Sequence, residues 1–90
     1  MDLHYEAHKI WGADDTGKVV AEIDFPMVGD GVVDIEHTFV DESLRGQKMA
    51  GKLVQGAVDT IRKNGWKAKT SCSYAAAWFA RHEADVEDLK

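Results

Sequence analysis

The sequence predicts an α+β fold: a small, mostly antiparallel sheet carrying two helices, in the order β-β-β-α-β-α. Three observations predict it. Apolar residues alternate with period two through most of the first forty positions. The period then lengthens to three and four residues between Met49 and Ile61. A short extended run and an alanine-rich segment follow. Period two belongs to strands and a period near 3.6 to a helix.

Tyr5 to Trp11 reads as the first strand, and Asp14-Asp15-Thr16-Gly17 as a tight turn with Gly17 free to take positive φ. Lys18 to Phe25 alternates Val19, Ala21, Ile23 and Phe25 against Lys18, Glu22 and Asp24, the pattern of a half-buried strand. Pro26 and Gly29-Asp30-Gly31 make a second turn. Val32 to Val40 is the third strand, with Val33, Ile35, His37 and Phe39 expected on one face and Asp34, Glu36 and Thr38 on the other. Short turns between these strands imply an antiparallel meander.

Met49, Ala50, Leu53, Val54, Ala57, Val58 and Ile61 form the apolar stripe of one long helix. Asp41, Glu42 and Ser43 precede it as acids and a cap; Arg62, Lys63 and Asn64-Gly65 close it. Trp66 to Ser71 is a fourth strand, which the intervening helix makes a parallel neighbour of the third. Ser73 to Arg81 is a second helix, capped by Ser71 or Ser73, and the acidic residues 83–90 are expected to be a loose tail.

Ninety residues suggest a single domain spanning 1–90. Eleven basic against sixteen acidic residues give a net charge of -5, which argues against a nucleic-acid backbone as partner and suits a cationic one. One cysteine, Cys72, allows no internal disulfide. No apolar stretch approaches the ~20 residues of a membrane span, and Asp2, His4 and Glu6 interrupt any leader-like run. The expectation is a soluble, cytoplasmic chain with no membrane partner.

The stretch Val40 to Ala50 joins an extended run to the long helix. The first N–H groups of a helix lack intrahelical acceptors, and the macrodipole adds positive charge there, so a phosphate fits. Its wording, Arg45-Gly46-Gln47-Lys48-Met49-Ala50, resembles the pyrophosphate loop Gln/Arg-x-x-Gly-x-Gly/Ala of the GNAT superfamily of N-acetyltransferases. It matches at Arg45 and Ala50, and Lys48 stands where that family has glycine. His37-Thr38-Phe39-Val40 is similar to a His-Thr-x-Val of the superfamily's minimal branch of about a hundred residues. Cys72-Ser73-Tyr74 is similar to its Cys-Ser-Tyr/Phe, with Thr70 in place of a proline; Trp78-Phe79 and Arg81-His82 correspond to an aromatic pair and basic residue downstream. The resemblance covers about residues 17 to 83.

The resemblance implies acetyl-CoA as cosubstrate, entering between two splayed parallel strands. The pantetheine would run along Thr38, Phe39 and Val40, and the pyrophosphate would lie on the N–H groups of Arg45, Gly46, Gln47, Lys48, Met49 and Ala50. Cys72 would stand at the thioester end, either lining the cleft or acting as an acyl-accepting nucleophile. A free cysteine is also an ordinary small hydrophobe. His37 is of a residue type that serves as a base toward an amine, and a histidine on an apolar face is equally a packed core residue. Glu36, on the other face, is a weaker alternative. No spacing of His37, Cys72 and His82 supports a metal.

Larger relatives use a tyrosine seven residues beyond the position of Cys72 to protonate the leaving thiolate; here that residue is Phe79. Slow turnover follows. Lys48, Lys52 and Arg81 can reach phosphates or remain solvated charges. Larger members of the family insert one or two helices between their first two strands to help build the acceptor site; here only Asp14 to Gly17 stands there, so the resemblance implies an open acceptor side, which suits a protein lysine or N-terminus. Three functions are therefore expected in turn: an acetyl-CoA-dependent N-acetyltransferase, a non-catalytic acyl-CoA-binding module, and a small α+β interaction domain.

Overall fold

The computed structural model describes residues 2–90. Seven short strands form two sheets. The first has the order β1 (His4–Glu6), β2 (Lys9–Ala13), β3 (Val19–Asp24), β6 (His37–Val40) and is antiparallel throughout; the second has the order β4 (Met27–Gly29), β5 (Val32–Ile35), β7 (Lys67–Thr70), with β5 and β7 parallel. The fold class is the expected α+β; the parallel pair brackets the long helix in sequence, with one further strand, His37–Val40, between its first member and the helix.

β1 (His4–Glu6) and β2 (Lys9–Ala13) form a hairpin where one strand is expected, because Ala7-His8 turns the chain. The turn into β3 (Val19–Asp24) is held by Asp14, whose Oδ1 accepts from the N–H groups of Thr16 (2.9 Å) and Lys18 (3.1 Å). Gly17 takes the expected positive φ of 88°. β4 (Met27–Gly29) is a further strand inside the expected second turn, pairing with β5 (Val32–Ile35) around Gly31, whose φ is 73°.

The expected third strand breaks at Glu36. β5 runs beside β7 (Lys67–Thr70) as far as the Ile35–Thr70 pair, while β6 (His37–Val40) leaves to pair with β3. The Glu36 N–H reaches Asp24 O at 3.1 Å, yet His37 is the ladder partner of Asp24. Two residues thus oppose one, as in a β-bulge. An inserted residue reverses the facing of all that follow. Val33 and Ile35 are fully buried, but beyond the bulge Thr38 and Val40 turn inward and His37 and Phe39 are exposed. This corrects the placing of His37 and Phe39 on the apolar face.

α1 (Met49–Lys63) lies across β2, β3, β6 and β7 and buries Met49, Leu53, Val54, Ala57, Val58 and Ile61 against Ile10, Ala21, Ile23 and Phe25. At its end Trp66 N–H bonds Ile61 O and Gly65 N–H bonds Arg62 O, both at 3.1 Å, a Schellman closure with Gly65 at φ 71°.

α2 (Ser73–Arg81) buries Ala75, Trp78 and Phe79. Its N-cap residue is Cys72, neither of the flanking serines. Residues 83–90 are not loose: α3 (Glu83–Val86) and a final 3-10 turn (Glu87–Leu89) seat Val86 and Leu89 in the core. Arg62 Nε clamps Asp88 Oδ2 at 2.8 Å, and Lys67 Nζ donates to Asp88 O at 2.6 Å. Among the described residues no helix is long and apolar enough to cross a membrane.

Candidate active site

The two sheets part at Ile35. The Cys72 N–H still bonds Ile35 O at 3.0 Å, and from there the chain turns into α2 while β6 continues along β3. Ser71 fixes the parting point: its N–H donates to Asp34 Oδ1 (2.9 Å) and its hydroxyl to Asp34 Oδ2 (2.5 Å). In the β3–β6 ladder, Phe39 pairs with Glu22 and the Asp41 N–H reaches Val20 O at 2.7 Å. Alternation then aims the main-chain N–H and C=O groups of Thr38 and Val40 away from β3, along the open edge.

That edge leads to the loop. Asp41 accepts from the Ser43 N–H (3.0 Å) and caps a separate 3-10 turn (Glu42–Leu44) rather than α1, as the sequence had suggested. The Ser43 hydrogen bonds, with Lys18 at 3.4 Å, hold the Asp41 carboxyl below its ordinary range. The α1 N-cap is Lys48, and no side chain caps it. The N–H groups of Gly46, Lys48, Met49, Ala50 and Gly51 donate to no acceptor among the described residues. The first helical bond runs from Lys52 N–H to Lys48 O (3.2 Å).

Gly46 has φ 84° and Lys48 φ 56° with ψ 29°. Both are left-handed, where a side chain on Cβ is strained. Lys48 therefore does not continue the right-handed helix, and the position calls for the glycine that the GNAT loop carries there. A methyl group at Gly46 would meet nothing within 4 Å, so backbone conformation, not space, sets its requirement. Val40, Asp41, Leu44, Arg45, Gly46, Lys48, Met49 and Ala50 line a groove of about 230 Å³ at this loop. Arg45, Gly46, Lys48, Met49, Ala50 and Val40 were anticipated from sequence. Leu44 and Asp41 were not; their part depends on the 3-10 turn, which has no periodicity to read.

Cys72 and Thr38 come together, Sγ to Oγ1 at 3.5 Å. Burial alone raises the thiol pKa, but hydrogen bonds from the Thr38 hydroxyl and from the main chain of Ala75, Tyr74 and Thr38 outweigh it, and the thiol lies below its ordinary value. His37 does not join them. It neighbours Thr38 on β6, so its side chain points to the opposite face, toward Asp24. Phe79 is buried, its ring 6.1 Å from that of Trp78. Tyr74 reaches α1: a methyl group on Gly51 would stand 3.7 Å from Tyr74 Oη. Arg81 and Lys52 do not line the groove. Among the described residues no group of three or more His, Cys, Asp or Glu stands ready for a metal.

The profile of the GCN5-related N-acetyl-transferase family matches residues 8–89. The chain belongs to that family. The solution structure of a protein assigned as a GCN5-like N-acetyltransferase from Staphylococcus aureus superposes with a TM-score of 0.75 at 30% identity, covering 98% of this chain and 85% of that one. The crystal structure of a GNAT-family acetyltransferase from Staphylococcus aureus Mu50 gives a TM-score of 0.64 at 14% identity, over 82% of this chain and 50% of that one, a likeness of fold. Protein NATD1 of Danio rerio is 36% identical over 50 residues, 56% of this chain; the match spans 46% of its length, about half. Family membership supports acyl transfer to nitrogen as the class of chemistry.

Proposed function

We propose that this chain is an acetyl-CoA-dependent N-acetyltransferase, one domain over 1–90, acting on an amine presented in an open cleft by a protein or peptide. The observation that carries the reading is the set of five unpartnered N–H groups, of Gly46, Lys48, Met49, Ala50 and Gly51, at the end of the free β6 edge; between them the Gln47 N–H bonds Leu44 O at 3.2 Å. The diphosphate lies on those N–H groups and near the Lys48 ammonium. The pantetheine follows the outward N–H and C=O groups of Thr38 and Val40, and the thioester reaches Cys72.

The acceptor arrives as an ammonium and loses one proton before attack; His37, the base the sequence suggests, faces away from Thr38 and Cys72, so solvent at the open cleft takes that proton. The amine lone pair attacks the thioester carbonyl and the C–N bond forms; as the C–S bond breaks, the nitrogen gives up its remaining extra proton to solvent and CoA leaves as a thiolate that solvent protonates. Cys72 walls the thioester end. In the alternative route its sulfur takes the acetyl group first, releasing CoA, and passes it to the amine. Intact-mass measurement after mixing with acetyl-CoA separates these routes: an acetyl adduct on Cys72 supports relay, and its absence with unchanged turnover in Cys72→Ala supports direct transfer.

A second reading, an acyl-CoA-binding module without turnover, is favoured by Phe79, buried where larger relatives hold a proton-donating tyrosine. Calorimetric titration with acetyl-CoA, with thiol release followed on a lysine peptide, tests both. Saturable binding with thiol release supports the transferase; binding without release supports the module; no binding at millimolar acetyl-CoA defeats both.

A further inference from the structure

Gly51 lies in the first turn of α1, where that helix meets α2. A Cβ built on it would meet Tyr74 Oη at 3.7 Å and Trp78 Nε1 at 3.9 Å. Tyr74 and Trp78 are four residues apart on α2, so their side chains stand next to each other on one face. Both atoms are donors, and neither has a hydrogen-bond partner among the described residues. Trp78 is only 6% exposed, and its ring is held by His82, stacked at 3.9 Å. No buried side-chain nitrogen or oxygen among the described residues lacks a partner, so the indole N–H is the part of this buried ring that opens on solvent. The Gly51 N–H is also without an acceptor. In a helix the Cα–Cβ bond leans toward the N-terminus, the direction in which the free N–H groups point. An oxygen seated beside Gly51 therefore meets three donors. Glycine inside a helix is less stable than alanine, and space does not demand it at position 51, since both distances are ordinary contacts. At Gly56, by contrast, a Cβ would stand 3.0 Å from Ile10 Cδ1. A methyl group at position 51 would fit, but it would cover both donors.

We infer that Gly51, Tyr74 and Trp78 form a three-donor site for one oxygen of the cosubstrate, where the pantetheine arm leaves the diphosphate. This rests on the acetyl-CoA reading for its ligand. The place follows from the neighbours in the chain. Ala50, next to Gly51, lines the groove at the loop, and Cys72, at the thioester end, is two residues before Tyr74. A ligand reaching from one to the other passes the junction of α1 and α2. β6 then supplies the main-chain groups of Thr38 and Val40 to the arm, and α2 supplies two side-chain donors. The oxygen they take is a phosphate oxygen or the first hydroxyl or carbonyl oxygen of the arm; each is an acceptor and suits a convergent set of O–H and N–H groups.

The test is calorimetric titration of wild type, Tyr74→Phe, Trp78→Phe and Gly51→Ala with acetyl-CoA and with ADP, which carries a diphosphate and no pantetheine. Each phenylalanine removes one donor and keeps a ring, and is expected to weaken acetyl-CoA about fivefold. Gly51→Ala covers both donors and is expected to weaken acetyl-CoA at least about tenfold while raising Tm, because alanine is the better helix former. A merely structural role would not move affinity and stability in opposite directions. ADP weakened to the same degree assigns the oxygen to the diphosphate; ADP unchanged assigns it to the arm. On addition of acetyl-CoA the indole N–H signal of Trp78 is expected to shift more than those of Trp11, bonded to Glu6, and Trp66, stacked on His8. Tyr74→Phe and Gly51→Ala carry the test if Trp78→Phe, a change to a buried ring, does not fold. Unchanged acetyl-CoA affinity in Gly51→Ala, or an unmoved Trp78 indole signal, overturns the inference and leaves the acetyl-CoA reading standing. No binding of acetyl-CoA to wild type removes that reading and this site with it.

Discussion

Cys72 and Thr38, 34 positions apart in the chain, meet with Sγ 3.5 Å from Oγ1. The contact spans the place where the two sheets part, so it ties the start of α2 to the free edge of β6. It also sets the state of the sulfur. Burial opposes ionisation, and the Thr38 hydroxyl with the nearby main-chain N–H groups more than offsets it. Thr38→Val keeps the shape and removes the hydroxyl. Its thiol should titrate higher, and alkylation of Cys72 by iodoacetamide at pH 7 should slow by up to roughly tenfold. Equal rates in both proteins would show that the hydroxyl does not hold the thiolate.

Lys48 sits at φ 56° in the loop that begins α1. A non-glycine residue there is strained by ~1–2 kcal/mol, and glycine gives back part of this through its freer unfolded chain. Lys48→Gly should therefore stabilise the fold by about 1 kcal/mol in urea denaturation. Gly46→Ala, at φ 84° with open space around it, should destabilise by ~1–2 kcal/mol for the same conformational reason. Opposite signs for the pair are the signature; a destabilised Lys48→Gly would mean that the lysine side chain contributes more than its backbone costs.

The Asp24 carboxyl carries a pH dependence with a definite sign. Its folded value, about 6, lies above the ordinary 3.8, because desolvation first and then the neighbouring Glu22 disfavour its charge. Between those values the folded state binds more protons than the unfolded one, so this group's contribution falls as pH rises from about 4 through 6 and is level above that. Solvent screening of a partly exposed side chain limits the effect to ~1 kcal/mol. Asp24→Asn should be more stable than wild type by that amount at pH 8 and equal to it below pH 4. A difference independent of pH in thermal or urea unfolding would rule out a raised Asp24.

The C-terminal segment should carry stability out of proportion to its composition. Leu89 is buried, and Arg62 reaches both Asp88 and the Asp85 carbonyl. Leu89→Ala should cost ~2–4 kcal/mol, as for other buried leucines. A cost below about 0.5 kcal/mol would mean that the segment is not docked in solution.

Much of this was legible in the sequence, because it depended on local pattern. The α1 stripe and its Asn64-Gly65 stop need only neighbours in the chain, and so does the parallel pair that a strand–helix–strand order imposes. The loop Arg45 to Ala50 was legible through its wording, and the left-handed Lys48 gives a physical reason for that wording. The facing of His37 was not legible. It turns on the bulge at Glu36, which is made by pairing with Asp24 and has no mark in the residues themselves. The seating of residues 83–90 was hidden for a similar reason. Two apolar residues among acids give no period, and their order comes from Arg62 and Lys67 elsewhere in the chain. The Ser71–Asp34 clamp, which fixes where the sheets part, is likewise a contact between distant residues.

The N–H groups of Gly46, Lys48, Met49, Ala50 and Gly51 are the place to look for the cosubstrate. Titrating nitrogen-labelled protein with acetyl-CoA should shift these amide signals most, together with those of Thr38 and Val40 along the β6 edge, in one saturable transition. Acetyl-CoA at millimolar concentration that leaves these amides unmoved, or that shifts a different face of the molecule, would contradict acetyl-CoA as the ligand of this cleft.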